Sequence, residues 1–296
     1  MGEDATEPVD WTTLVRPPGL PSKLRTLVRL TSFFVLTLPL MPVQAALVRT
    51  WPRGARRLPH WYHRQVCRIL GVRLRVEGRL ASDRPVLLLA NHASWLDIPV
   101  ISAAAPVSFV AKKEVASWPF VSSLARLQRT VFVDRTRRTT VGDTAGEMIE
   151  RLAAGDALVL FPEGTSSDNN RVLPFKTSLL AAAKPTRGAT RGSTSEPDPA
   201  APRNVVMQTL AIVYTRQHGL PIDRAHRHLV GWYGDMSLPD HVLRLLEACP
   251  IDVVVQLSEP LPLDGFADRK ELARFSEDEI RTRVVDLIRS APSGRK

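Results

Sequence analysis

The segment 85–99, PVLLLANHASWLDIP, contains the transition on which both the fold and the site depend. Its first six residues form an apolar run, which is typical of a central strand covered on both faces. The run stops at Asn91 and His92, and Asp97 follows five residues after the histidine. The side chains of Asn91 and Ser94 suit a turn and a helix start. The segment therefore predicts a buried strand, then a turn, then a helix.

His92 and Asp97 can meet only if the chain turns between them. On one regular helix a separation of five residues corresponds to about 500°, so the two side chains would point about 140° apart. At a strand end that leads into a helix they can approach, and a carboxylate that accepts from one imidazole nitrogen leaves the other nitrogen free as a base. Such a pair can deprotonate a hydroxyl. The alternative is a structural hydrogen bond that closes the turn.

Strands and helices alternate along the chain from Val72 onward. The period-two pattern of VRLRVEG (72–78) predicts a half-buried strand. Further strand-like runs occupy segments 106–113, 129–135, 156–164, 206–214 and 251–260. Helical patterns occupy segments 139–156, 240–249 and 276–291. The last of these opens with Ser276 and Glu279 in the arrangement of a capping box.

This alternation predicts an α/β fold class, with a mixed, mostly parallel sheet flanked by helices. We expect the domain to occupy residues 71–290. Within it, the segment 184–204 is rich in Pro, Gly, Ser and Thr, which predicts a flexible insertion between a helix and a strand. Active residues of such a fold gather where strands end and loops begin.

The uncharged run 30–48, LTSFFVLTLPLMPVQAALV, predicts a membrane-associating segment. As a helix it would be about 28 Å long, close to a hydrocarbon thickness of about 30 Å. Pro39 and Pro42 would kink or break that helix, and basic residues flank it on both sides, so it either spans once or re-enters one leaflet. We expect an N-terminal tail at 1–25 and a membrane-anchoring helical segment at 26–70. The alternative is a buried core helix.

The charge balance favours anionic partners. The 296 residues include 40 Lys and Arg against 30 Asp and Glu, a formal net charge of +10, and such a field attracts nucleic acid or acidic lipid headgroups. Aromatic residues make up only 6% and no nucleic-acid-binding motif is present, so we expect a membrane partner and no nucleic acid. The basic amphipathic segment 56–72 suits a helix that rests on anionic headgroups or packs on the domain.

Cysteine usage argues against a metal site. Cys67 and Cys249 are far apart and form no CxxC pair, which disfavours a zinc site or a disulfide framework and suits a reducing compartment. We therefore expect no metal.

Two further strand ends carry groups that suit a phosphate-bearing ligand. In FPEGTSS (161–167), Gly164 permits a tight turn that exposes backbone amides, and the hydroxyl of Thr165 adds a donor. In VFVDR (131–135), Arg135 closes another strand, and a guanidinium binds phosphate through two parallel hydrogen bonds. Taken singly, the first motif is a surface turn and the second a solvated arginine.

Taken together and in this order, NHASWLD, VFVDR, FPEGTSS and the apolar strand LAIVY resemble the four sequence blocks of the glycerolipid acyltransferase family. The chain looks most like the bacterial 1-acylglycerol-3-phosphate O-acyltransferases, over residues 60–260 and the N-terminal anchor. The resemblance implies transfer of a fatty acyl group from acyl-CoA or acyl carrier protein to the sn-2 hydroxyl of 1-acylglycerol-3-phosphate. The product would be phosphatidic acid, in phospholipid biosynthesis. It also implies no cofactor beyond the acyl donor, and a location at the cytoplasmic face of the inner cell membrane.

The resemblance also implies a role for each motif residue. His92 would be the general base, and Asp97 would orient it and stabilise the imidazolium. Backbone amides near the Asn91–His92 turn would stabilise the oxyanion. Arg135 would hold the phosphate of the acceptor. The residues that arrange the glycerol phosphate beside it would be Glu163, Gly164 and Thr165. Lys112 and Lys113, at another strand end, could add positive potential.

Two features depart from the family pattern. The fourth block usually carries a proline after its apolar run, where this chain has Tyr214. The segments YTRQHGLP (214–221) and WYGDM (232–236) look like a bacterial subgroup that includes lyso-ornithine lipid acyltransferases, so acylation of lyso-ornithine lipid is the alternative function. A hypothesis from another class is a non-catalytic, lipid-binding membrane protein. A hydrolase is disfavoured because the chain has no G-x-S-x-G elbow.

Overall fold

The computed structural model describes residues 22–133, 140–180 and 205–290. Nine strands form one sheet within these residues. They are β1 (Val72–Glu77), β2 (Val86–Ala90), β3 (Ser108–Lys112), β4 (Val131–Val133), β5 (Ala157–Leu160), β6 (Val206–Gln217), β7 (Leu220–Pro221), β8 (Ile251–Leu257) and β9 (Leu261–Pro262). Each of the strand-like runs in the sequence overlaps one of the seven longer strands, and β6 extends three residues beyond its run.

The sheet is mixed, and most neighbouring strands run parallel. The strand order is β1-β8-β6-β2-β5-β3-β4, and the short strands β7 and β9 pair with β6. The pairs that β6 makes with β7, β8 and β9 are antiparallel, and the other pairs are parallel. Strand β2 lies between β5 and β6 with all five of its residues buried. The predicted fold class is confirmed.

Seven α-helices accompany the sheet in the part of the chain that the structure describes. They are α1 (Ser22–Thr50), α2 (Pro52–Leu70), α3 (Asp97–Ala104), α4 (Val121–Leu127), α5 (Thr140–Ala153), α6 (Leu238–Ala248) and α7 (Arg269–Ser290). Short 3₁₀ turns occupy 113–117, 227–229 and 263–265.

Alternate side chains of β2 enter two different apolar layers. Leu88 and Ala90 pack with residues of α2, α3 and α6, whereas Leu87 and Leu89 pack with residues of α5 and α7. Because successive side chains of a strand point to opposite faces, this pattern means that helices cover both faces of the sheet. Full burial of each leucine contributes about 1.5–3 kcal/mol relative to exposure.

Helix α1 runs without interruption through Pro39 and Pro42, so the expected break does not occur. It is the one helix among the described residues that is long and apolar enough to cross a membrane. It is not a buried core helix, since Val35 is 68% exposed and Leu38 is 54% exposed. An apolar helix that remains this exposed supports membrane association.

Polar contacts hold α1 along the domain. The side-chain amide of Gln44 donates to the carbonyl of Ala55 in α2 and to that of Leu127 in α4, each at 2.9 Å. Helix α2 in turn packs on α3, where the ring nitrogen Nδ1 of His60 contacts the carbonyl of Ser102 at 2.7 Å. One face of the basic amphipathic helix is therefore occupied by the domain itself.

The capping box expected at Ser276 and Glu279 is wrong. Helix α7 begins at Arg269, and Ser276 is buried within it. The carboxylate of Asp268 caps the helix by accepting from the backbone N–H groups of Lys270 and Glu271 at 2.7 and 2.9 Å. A residue that can cap a helix, followed three positions later by a glutamate, occurs at Asp268 with Glu271 and again at Ser276 with Glu279. The earlier pair caps the helix because the buried face of the helix already includes Leu272.

Candidate active site

The turn after β2 is fixed to the neighbouring strand by Asn91. Its amide nitrogen donates to the carbonyl of Ile212 in β6, and its Oδ1 accepts from the N–H of the same residue, both at 2.9 Å. The side chain thus continues the sheet hydrogen bonding just where the main chain of β2 leaves it. His92 follows at the point where the chain turns towards α3, and Asp97 is the first residue of that helix.

His92 and Asp97 are in direct contact. The ring nitrogen Nδ1 of His92 lies 2.8 Å from Oδ2 of Asp97. The same oxygen accepts from the backbone N–H groups of Ala93 and Ser94 at 2.7 and 3.0 Å. Because the carboxylate accepts, Nδ1 carries the proton and the lone pair stays on Nε2. The structure therefore brings together the two residues that the sequence analysis paired, in a geometry suited to a general base.

The imidazole plane is set by stacking. The ring of His92 lies against that of Phe161, with 4.1 Å between centroids and 18° between planes. Phe161 is itself aligned with Phe109 in β3, at 6.3 Å and 11°. The side chain of His92 is only 19% exposed. These contacts limit the directions in which Nε2 can point, which is what a positioned base requires.

Glu163 contacts the main chain of the turn. It is 1% exposed, and its two carboxylate oxygens accept from the N–H groups of His92 at 2.7 Å and Leu173 at 2.9 Å. Burial raises the pKa of Glu163 to about 8, because the loss of hydration outweighs these two hydrogen bonds and the charge of Asp97 adds to the shift. This contact makes Glu163 a support for the backbone of His92, and its part in arranging the acceptor stays a prediction.

The turn amides expected to stabilise the oxyanion are already engaged. The N–H of His92 donates to Glu163, and those of Ala93 and Ser94 donate to Asp97. An amide that is committed to a buried carboxylate cannot also point at a reacting oxygen. The N–H groups of residues 92–94 are therefore not available for that role, and the expectation that amides near the Asn91–His92 turn stabilise the oxyanion stays a prediction.

Some of the other predicted site residues line the same groove as His92, and others lie elsewhere. Gly164, with φ of +72°, and the exposed Thr165 line the same groove as His92, and so does Lys112. Lys113 begins the 3₁₀ turn after β3. Arg135 lies outside the described residues, as does the insertion 184–204.

A largely apolar groove of about 1010 Å³ opens beside His92. Its walls come from α1, α2, α4, α6 and the loops after β3, β5 and β7. The residues that line it include Phe33 and Met41 of α1 and Trp95 of the turn after β2. The indole N–H of Trp95 donates to Nδ1 of His241 in α6 at 2.9 Å, which fixes that wall. A groove of this size and polarity suits a lipid chain.

Tyr214 is the residue that the sequence analysis did not place in the site. It lies in β6, is fully buried, and its hydroxyl donates to Oδ1 of Asp97 at 2.6 Å. Burial, together with the charge of Asp97, raises its pKa well above the ordinary value. A tyrosine at the end of the apolar run 210–214 is a usable signal, because a buried hydroxyl needs a partner. In the described ranges, no group of three or more His, Cys, Asp or Glu residues could hold a metal ion.

The chain is similar to known acyltransferases. The acyltransferase family model matches residues 72–198. Lyso-ornithine lipid O-acyltransferase of Brucella abortus (strain 2308) is 43% identical over 273 residues, which cover 92% of this chain and 97% of that protein. The protein of the same name from Rhizobium meliloti (strain 1021) is 43% identical over 256 residues, 86% of this chain and 84% of that one.

The chain is also similar to a second group of proteins, and the alignment with a relative from this group covers fewer residues. The 1-acyl-sn-glycerol-3-phosphate acyltransferase of Neisseria gonorrhoeae is 40% identical over 108 residues, 36% of this chain and 42% of that protein. The crystal structure of the 1-acyl-sn-glycerophosphate (LPA) acyltransferase PlsC from Thermotoga maritima aligns with a TM-score of 0.61 at 23% identity, covering 90% of this chain and 98% of that one. This structural likeness is evidence for the shared fold.

Proposed function

Because the chain belongs to the acyltransferase family, we propose that it transfers a fatty acyl group from a thioester donor to the hydroxyl of a lyso-ornithine lipid. Membership of the family already means that the chain is an O-acyltransferase of lysolipids, without specifying the acceptor. The acceptor in this proposal differs from the 1-acylglycerol-3-phosphate that the sequence resemblance implied. We choose lyso-ornithine lipid as the acceptor because the relatives named for it align with nearly the whole chain at 43% identity.

The observation that carries the chemistry is the His92–Asp97 contact in the wall of an apolar groove. Nε2 of His92 takes the proton of the acceptor hydroxyl as its oxygen attacks the thioester carbonyl carbon. Asp97 stabilises the imidazolium that forms. The tetrahedral intermediate then collapses, the carbon–sulfur bond breaks, and the thiolate leaves with the proton from His92. The products are an ester and a free thiol, and the apolar groove holds the fatty chain.

The donor and the location follow from the same chemistry. Acyl-CoA and acyl carrier protein are the two thioester donors that we propose, and neither requires a further cofactor. Both are cytoplasmic, so the groove must open to the cytoplasmic face of the inner membrane. The exposed apolar residues of α1 support attachment to that membrane. The basic net charge supports an interaction with anionic headgroups, and we propose no nucleic-acid partner.

The experiment that tests the proposal supplies the purified chain with a fatty acyl thioester and one of two acceptors, lyso-ornithine lipid or 1-acylglycerol-3-phosphate. Thiol release and the mass of the ester product are followed together. We expect release with lyso-ornithine lipid to be at least about tenfold faster, a difference that corresponds to about 1.4 kcal/mol in the transition state. Faster release with 1-acylglycerol-3-phosphate would reverse the acceptor assignment.

The matched control is a second histidine–aspartate pair on the surface. His226 contacts Asp223 at 2.7 Å, and both side chains are more than half exposed. We expect His92→Ala to abolish thiol release and His226→Ala to leave it unchanged. Equal activity of the His92→Ala variant and the parent would favour the non-catalytic lipid-binding alternative.

A further inference from the structure

We propose that Tyr214 is a positioning residue of the His92–Asp97 pair, whose hydroxyl sets both the orientation of the Asp97 carboxylate and the strength with which that carboxylate attracts the imidazolium. The inference rests on the proposed function, because it takes His92 to be the general base. It concerns a residue that the family pattern does not predict, since a proline usually stands at this position in the fourth block.

The two oxygens of Asp97 have separate partners. Oδ2 accepts from His92, Ala93 and Ser94, whereas Oδ1 accepts from the hydroxyl of Tyr214 at 2.6 Å. Asp97 is 0% exposed, so water does not replace a missing donor. Without the hydroxyl, Oδ1 would be a buried, charged oxygen that has lost its donor, and the carboxylate would rotate or shift to recover one.

The fold holds Tyr214 in a fixed relation to this carboxylate. Ile212 and Tyr214 are two residues apart in β6, so their side chains point to the same face of the sheet. Both pack in the apolar layer beneath α3. The two hydrogen bonds between Asn91 and Ile212 fix the end of β2 against this part of β6. Because β2 leads directly to His92, the register of the two strands also sets the distance between the phenol and the pair.

The titratable groups around the pair come from several elements. Tyr214 lies on β6, Glu163 follows β5, and Cys67 of α2 lies near the phenol. Burial raises the pKa of Cys67 to about 12 and that of Glu163 to about 8, and it raises that of Tyr214 well above its ordinary value. Lys112 and Glu114 line the groove and are exposed.

Below pH 7, therefore, these buried neighbours keep their protons. Asp97 accepts four hydrogen bonds through its two side-chain oxygens. A change in the acidic limb of the pH–rate profile is therefore assigned by following the imidazole of His92 directly.

Replacing Tyr214 by phenylalanine removes the donor and keeps the ring. A carboxylate with one donor fewer holds more of its charge, so it attracts the imidazolium more strongly. Since the base must be neutral to accept a proton, the acidic limb of kcat/KM should move to higher pH, by roughly half to one unit. The plateau value of kcat should fall about tenfold, because the carboxylate loses its alignment. KM should stay unchanged, because Tyr214 is 0% exposed and does not reach the groove.

A matched control lies on the same strand. Thr209 in β6 is also 0% exposed, and its hydroxyl donates to the carboxylate of Glu279 in α7 at 2.8 Å, away from the groove. The Thr209→Val variant loses a hydroxyl–carboxylate hydrogen bond whose donor is equally buried, while the side chain of its acceptor Glu279 is 24% exposed. It should lower thermal stability and leave the acidic limb where it is in the parent.

The experiment measures pH–rate profiles and the NMR titration of the His92 imidazole in the parent and in the Tyr214→Phe and Thr209→Val variants. The His92→Gln variant assigns the resonance. A higher imidazole pKa in Tyr214→Phe alone supports the proposal, and an unchanged pKa in that variant, or an equal shift in Thr209→Val, overturns it. Because the titration needs no turnover, a shift in an inactive protein would support the role of Tyr214 while refuting the proposed function.

Discussion

Replacing Asp97 by asparagine removes a negative charge from the site while it keeps the shape of the side chain. The amide oxygen can take the place of Oδ2 and accept from Ala93, Ser94 and Nδ1 of His92. The amide nitrogen then faces Tyr214, whose hydroxyl can rotate its hydrogen away and accept. The hydrogen bonds of the turn therefore survive, and the thermal midpoint should change by only a few degrees.

The expected loss of activity comes from the missing charge. Nδ1 and Oδ2 are 2.8 Å apart, and charge centres about 4 Å apart attract each other by about 4 kcal/mol at an effective dielectric constant near 20. That constant is appropriate here because His92 is 19% exposed while Asp97 is buried. Since about 1.36 kcal/mol corresponds to a tenfold change in rate, kcat should fall roughly 10³-fold. KM should change little, because Asp97 does not reach the substrate.

The assay is thiol release from the acyl thioester at saturating lyso-ornithine lipid, from pH 5 to pH 9. In the Asp97→Asn variant no negative charge stabilises the imidazolium, so the acidic limb should move to lower pH, opposite to the shift expected for Tyr214→Phe. Asp83→Asn, which removes an exposed carboxylate that pairs with Arg84, is the control for the change in net charge. A kcat within tenfold of the parent, or a loss that appears only in KM, would refute the assignment of Asp97.

Two further predictions concern the support of the turn and the groove. In the folded chain the pKa of Glu163 is about 8 against an ordinary 4.5, so the folded state binds an extra proton between these values and the free energy of unfolding should fall as the pH rises from about 5 to about 8. Urea unfolding at several pH values should show this decline in the parent relative to Glu163→Gln, and parallel curves would contradict it. Met41 lines the groove, so Met41→Trp should shorten the longest acyl chain transferred, measured with a thioester length series. Val35→Trp, which alters an exposed position of the same helix, should leave that preference unchanged.

The fold could be predicted to a large extent because its central strands are buried on both faces. Such strands appear in the sequence as continuous apolar runs, and the run 85–90 marks the centre of the sheet. The start of α7 could not be predicted with the same security. Asp268 with Glu271 and Ser276 with Glu279 have the same spacing, and only the burial of Leu272 in the folded chain distinguishes the two.

The site could be predicted where its partners are close in sequence. His92 and Asp97 are five residues apart, and a turn between them brings them into contact. The contacts of His92 with Glu163 and of Asp97 with Tyr214 join residues that are 71 and 117 positions apart. Their roles depend on strand order and register, which one sequence does not specify. Glu163 shows the consequence, since its motif gives no sign of its contact with the main chain of His92.

The hydrogen bonds that fix the base also limit where the oxyanion can be stabilised. The N–H groups of residues 92–94 all donate to buried carboxylates, so the turn positions the base and the negative charge beside it. An oxyanion that forms close to Asp97 would be repelled by that charge, and donors are most effective on a wall away from it. The loop after β5 provides such a wall, because Gly164 and Thr165 line the groove there and Thr165 carries an exposed hydroxyl. We therefore expect oxyanion stabilisation at the end of β5, beside the proposed base at the end of the neighbouring parallel strand β2.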